Sequence, residues 1–137
     1  MVVALALVIS VSAWAVDTHC DVCGMSIPDH ARNHLVLKAA DPAAKELHVC
    51  SVPCARKARK HDQSLSRIDI ADFNHPESFL SGERAFVLIQ SRKVKADLGE
   101  LTMPPYVVGF GTKKEAEAAQ AKYGDGTVVE GIEGALK

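Results

Sequence analysis

The sequence predicts an α+β fold, two tandem β-β-α-β units packed as one small domain. Three observations point there. The chain has 137 residues, enough for one hydrophobic core and too few for several. Short apolar or alternating runs, the mark of strands, flank two helix-start signals. These signals come in the same order in two halves, about 16–72 and 83–137, with no low-complexity linker between them.

Residues 1–15 read MVVALALVISVSAWA. The run is uncharged, falls short of the roughly 20 apolar residues of a membrane span, and ends in an A-x-A pattern at Ala13-Trp14-Ala15. It is expected to be a signal peptide cut after Ala15, although no Lys or Arg precedes it. A buried N-terminal helix or an uncleaved anchor is the alternative. Residues 16–137 are then the working domain, outside the cytoplasm, where oxidation competes with metal for thiols. Asp17-Thr18-His19 is not the small-residue box that precedes a lipid-modified cysteine, so Cys20 is expected to keep its thiol.

In the first unit, residues 34–40 (HLVLKAA) and 46–49 (ELHV) are extended runs joined by a turn-like Asp41-Pro42-Ala43-Ala44, together a hairpin. Ser51 is placed to cap a helix that opens on Val52-Pro53 and runs to about Lys60, since proline is tolerated in a first turn. Residues 65–70 (LSRIDI) alternate as a half-buried strand does. In the second unit, residues 84–90 (RAFVLIQ) are the strongest strand. Residues 91–101 are charged, include Gly99, and are expected to form a mobile loop. Residues 105–110 (PYVVGF) read as a strand broken at Gly109. Thr112 and Glu115 make a capping box, and the helix it opens runs to Tyr123 before Gly124. Residues 126–130 (GTVVE) close the unit, and 132–137 add a terminal helical turn.

The formal net charge is −1, and no segment is both strongly basic and rich in aromatics, which excludes a nucleic-acid partner. There is no glycine-rich phosphate loop, nucleophile elbow or paired-carboxylate signature, so the chain is read as a non-enzyme.

The chemistry lies in four cysteines arranged as two close pairs, Cys20-Asp-Val-Cys23 and Cys50-Ser-Val-Pro-Cys54. A hairpin between the pairs brings all four sulfurs to the start of the first helix, making a soft-metal pocket. Cys54 falls in the first helical turn, where free N–H groups and the helix dipole favour a thiolate, so its pKa is expected to fall. Met25, directly after the Cys20–Gly24 knuckle, adds a thioether, a poor zinc ligand and a good copper(I) ligand. Met103 is a second candidate thioether. His48 and His19 are the candidate accessory imidazole ligands, since an extended strand sets His48 on the same face as Cys50 and His19 adjoins Cys20. The competing readings are a structural zinc knuckle, a pair of disulfides, and a Met25 that merely packs. Arg56, Lys57, Arg59 and Lys60 make the first helix basic, either as a solvated face or as a docking face for an acidic copper protein.

The segment Cys20-Asp-Val-Cys23-Gly24-Met25-Ser26-Ile27 resembles the opening motif of the NosL family, accessory proteins that bind copper(I) for maturation of nitrous-oxide reductase. The resemblance continues at His48-Val49-Cys50-Ser51-Val52-Pro53-Cys54 and from Met103-Pro104-Pro105-Tyr106 through Ala118, so it spans most of the chain after residue 15. It implies two β-β-α-β units related to the C-terminal part of organomercurial lyase. It also implies a periplasmic or membrane-attached copper(I) metallochaperone whose partner is a periplasmic copper enzyme or a copper donor protein. The lipoprotein box common in the family is absent here, which leaves membrane attachment open. Kinship with the lyase also raises carbon–mercury protonolysis, but no segment matches that enzyme's catalytic motif.

Overall fold

A computed structural model describes residues 17–99 and 102–137; the expected signal peptide at 1–15 lies outside the described residues. Both β-β-α-β units form. A small ribbon, β1 (Thr18–His19) with β2 (Ser26–Ile27), precedes the first. The first unit is β3 (Leu35–Lys38), β4 (Leu47–Val49), α1 (Val52–His61) and β5 (Arg67–Ala71). A further strand, β6 (Phe79–Ser81), extends it. The second unit is β7 (Phe86–Ile89), β8 (Val108–Phe110), α2 (Lys113–Tyr123) and β9 (Thr127–Glu130).

The two units share a topology. In each, the first strand is central, with its second strand on one side and its last on the other, all antiparallel; the sheet orders are β4-β3-β5-β6 and β8-β7-β9. Alternation along β3 and its partners explains the first core: Leu35, Leu37, Val49, Ile68 and Ile70 are buried together with Val52, Ala55 and Ala58 of α1. On the opposite face of the same sheet Lys38 bridges Asp69 at 2.8 Å and Glu46 at 3.4 Å.

The halves are sewn together where Asp72 bridges Gly109 and the Phe73 N–H donates to the Gly109 carbonyl at 2.8 Å. Gly109 does not break its strand. It lies inside β8, and a Cβ there would meet Cγ2 of Ile70 at 2.7 Å, so glycine permits the close approach of the two sheets. Residues 105–107 stay outside the strand.

The segment 91–101, expected as a mobile loop, instead holds a short 3₁₀ turn at Lys93–Asp97. Val94 is fully buried in a second core with Phe73, Leu88, Val108, Phe110, Ala116, Ala119 and Tyr123. Asp97 accepts from Tyr123 and Lys122, and Asp125 accepts from Ser91. One apolar side chain and two carboxylates therefore anchor residues 91–97, whose composition reads as solvated.

The helix starts differ. Thr112 caps α2 in a full capping box with Glu115. Ser51 occupies the cap position of α1 with extended backbone but makes no side-chain cap bond; its Oγ instead faces the Cys50 thiol at 3.7 Å. The Thr112→Ala variant is expected to lose about 1 kcal/mol of stability in a urea titration.

The basic face of α1 is largely engaged within the fold. Arg56 donates to the carbonyls of Ala135, Leu136 and Lys137, and Arg59 pairs with both carboxylate oxygens of Glu133 at 2.9 Å. Lys57 and Lys60 are exposed. The expected terminal turn is a 3₁₀ turn at Glu133–Leu136. Among the described residues, no helix is long and apolar enough to cross a membrane.

Candidate metal centre

The first pair of thiols sits in a closed knuckle. The Cys20 N–H donates to the Met25 carbonyl and the Gly24 N–H to the Cys20 carbonyl, each at 2.8 Å. Gly24 has φ 75, a conformation that glycine adopts without a Cβ penalty. Asp21 then fastens the knuckle to β4. Its N–H donates to the His48 carbonyl, and its carboxylate accepts the His48 N–H, both at 2.8 Å. Lys45 adds an ion pair to the same carboxylate at 3.2 Å.

The second pair comes from the turn between β4 and α1. β4 ends at Val49, the chain bends at Cys50, and Cys54 follows in the first turn of the helix. Asn33 holds the bend by donating to the Cys50 carbonyl at 3.3 Å.

These two turns meet. The four cysteine sulfurs all lie within 4.8 Å of one another. Cys23 and Cys50 are 3.6 Å apart, and Cys50 and Cys54 are 3.8 Å apart. All four are free thiols; Cys20, Cys50 and Cys54 are buried, and Cys23 is exposed. A metal with bonds of about 2.3 Å to sulfur in a tetrahedron needs edges of about 3.8 Å, and opening the angle to about 120° lengthens them to about 4.0 Å. The group therefore fits a metal ion bound by three or four sulfurs.

The proton balance differs from the one the sequence suggests. Burial opposes ionisation of Cys20, yet the N–H groups of Cys23, Cys50 and Val22 turn toward its sulfur and lower its pKa to about 7. Cys50 is pushed well up, by burial first and then by its hydrogen bond with Cys23 and the charge of Cys20. Cys54 is also raised, by burial and then by Cys20, so the expected lowering at the helix start does not occur. Once one thiolate sits in a small buried cluster, it disfavours a second beside it.

The metal-free reduced protein should accordingly show a thiolate absorbance step near pH 7 from Cys20, with Cys50 and Cys54 titrating above the usual thiol value. The linkage follows. The Cys20 pKa is lowered on folding from 9.0 to about 7, so its contribution to stability is full above pH 9 and fades as pH falls through 7. Cys50 and Cys54 are raised on folding, so theirs is full below the unfolded value of 9.0 and fades at higher pH. For the thiols alone, stability of the metal-free protein should rise between pH 7 and 9 in urea titrations.

The remaining sequence candidates lie around this group. Met25 is half-buried and contributes its carbonyl to the knuckle. Met103 is 40% exposed and lines a crevice with Asn33, Leu35, Ser51 and Val52, over the start of α1. His48 is not among the clustered ligands. Its Nδ1 lies 2.9 Å from Nε2 of His34. The expectation that His48 and Cys50 share a face holds only while the strand continues, and the bend after Val49 sends the two side chains to different places. His19 is exposed and its ring pairs with the Asp17 carbonyl at 3.0 Å. Burial, and then the neighbouring His48, lowers the His34 pKa to about 4. Sequence reasoning missed Asp21, Asn33 and His34. Asp21, between two cysteines, was the one with a local signal, since a carboxylate inside a knuckle readily accepts backbone N–H groups. No protein-family model, curated protein or solved structure matches the chain.

Proposed function

We propose that this chain is an extracytoplasmic copper(I) carrier of the NosL kind, with Cys20, Cys23, Cys50 and Cys54 as its ligand set. It passes the ion to a periplasmic copper enzyme, such as nitrous-oxide reductase, or takes it from a donor, and performs no catalysis itself. The observation that carries this reading is the asymmetry of the cluster: three thiols are buried and one, Cys23, is exposed. Thiolates suit copper(I). Cys23 offers an incoming partner a sulfur to replace, so the ion leaves by stepwise ligand exchange with two or three sulfurs bound at a time. Met25 and Met103 lie beside the knuckle and the helix start, where thioethers would favour copper(I) over zinc.

A zinc-stabilised module is the second reading, and the separations of 3.6 and 3.8 Å favour it, since they match a tetrahedral four-sulfur site. Anaerobic purification from copper-fed, zinc-replete cells separates the two. About one equivalent of copper(I), with Met25→Leu weakening its retention, supports the carrier. Zinc that resists exchange for copper(I) supports the module.

A further inference from the structure

On the outer face of the first sheet, two imidazoles meet. Val36 of β3 pairs with His48 of β4, and His34 precedes β3 on the same side of the sheet. Nε2 of His34 lies 2.9 Å from Nδ1 of His48, with ring centroids 5.0 Å apart. Phe79 of β6 stands edge-on to His34 at 5.1 Å and limits where that ring can turn. Both rings line a cleft of about 270 Å³ together with His30, Asp29 and Glu77. No sulfur lines it.

We propose that His34 and His48 form a second metal site, separate from the cysteine cluster, that takes a borderline divalent cation, zinc(II) or copper(II). Two nitrogens bonded at about 2.0–2.1 Å to one ion and 2.9 Å apart subtend about 90°, the cis angle of a tetragonal site; parting them by about 0.4 Å gives the tetrahedral angle zinc prefers. The shared proton presents no obstacle. Each neutral ring carries one N–H, so the donor ring shifts its proton to its far nitrogen, both facing lone pairs become free, and no proton is lost overall. Water from the cleft completes the shell, with His30, Asp29 and Glu77 along its walls. Nitrogen and oxygen donors without sulfur favour a divalent ion over copper(I), which sets this site's selectivity apart from that of the thiols. The inference goes beyond the copper(I) reading and stands whichever metal the thiols hold.

The test is an anaerobic zinc titration of the reduced protein, counting bound zinc and following the histidine ring nitrogens by NMR. The unsubstituted protein should bind one equivalent more than His34→Gln or His48→Gln, while the thiol-bound equivalent survives in both. Nε2 of His34 and Nδ1 of His48 should shift as the additional ion binds. Equal zinc in parent and variants overturns the proposal. So does zinc saturation that leaves those two nitrogens unmoved, a readout on the parent that decides the matter even where a variant fails to fold. Loss of the thiol-bound equivalent in either histidine variant, with the other equivalent retained, would tie the histidines to the cysteine centre and overturn a separate site.

Discussion

Cys50→Ser is expected to weaken copper(I) binding by about a hundredfold or more. Cys50 occupies the middle of the cluster, 3.6 Å from Cys23 and 3.8 Å from Cys54. It also links the two turns, since its N–H faces the Cys20 sulfur and its carbonyl is held by Asn33. Serine keeps the size and exchanges a soft donor for a hard one. Replacing residues that merely orient ligands typically costs 10–100-fold in metal affinity, so losing a ligand itself should cost at least the upper end of that range. Competition against a chromophoric copper(I) chelator measures the change. An affinity within threefold of the parent would remove Cys50 from the ligand set. The metal-free variant is expected to stay folded, because Asp21 and the backbone bonds of the knuckle are untouched.

Phe110→Ala is the substitution expected to cost most stability, about 3–5 kcal/mol in urea unfolding. Phe110 is the largest of the side chains with almost no exposure. Its ring packs on Phe73 at 5.3 Å, and Phe73 in turn meets Tyr123 edge-on at 6.5 Å. Removing it opens a cavity among β7, β8 and α2, walled by segments that backbone hydrogen bonds prevent from collapsing inward. Cys20, Cys50 and Cys54 belong to the other core, with Leu35, Val49 and Ala55. The folded variant should therefore keep its metal stoichiometry. A loss below 1 kcal/mol would mean that the second core repacks freely.

What was legible in the sequence was local. The apolar runs of both units, the Thr112–Glu115 box, the Gly124 stop and the proline in the first turn of α1 each act within a few residues. The convergence of the thiols was legible too, although Cys23 and Cys50 are 27 residues apart, since one pair sits in a glycine-closed knuckle, the other spans a helix start, and a hairpin lies between. What escaped depended on distant partners. β6 is only Phe79–Ser81, and it is a strand because β5 offers it an edge. Val94 gives the charged 91–101 segment an anchor that composition alone does not reveal. The pairing of His34 with His48 follows from the register of β3 on β4, which no single-strand pattern specifies. The order of thiol acidities depends on which sulfur the backbone N–H groups reach, and that favours Cys20 over the helix-start cysteine.

The convergence of four sulfurs on one cuprous ion is tested most directly by X-ray absorption at the copper edge on protein loaded anaerobically with one equivalent of copper(I). A coordination shell of sulfur alone, at a count of two to four, with thiol alkylation suppressed at Cys20 and Cys50 in the same sample, is the expected result. A shell dominated by nitrogen or oxygen, or four thiols that still alkylate freely with copper bound, would contradict it.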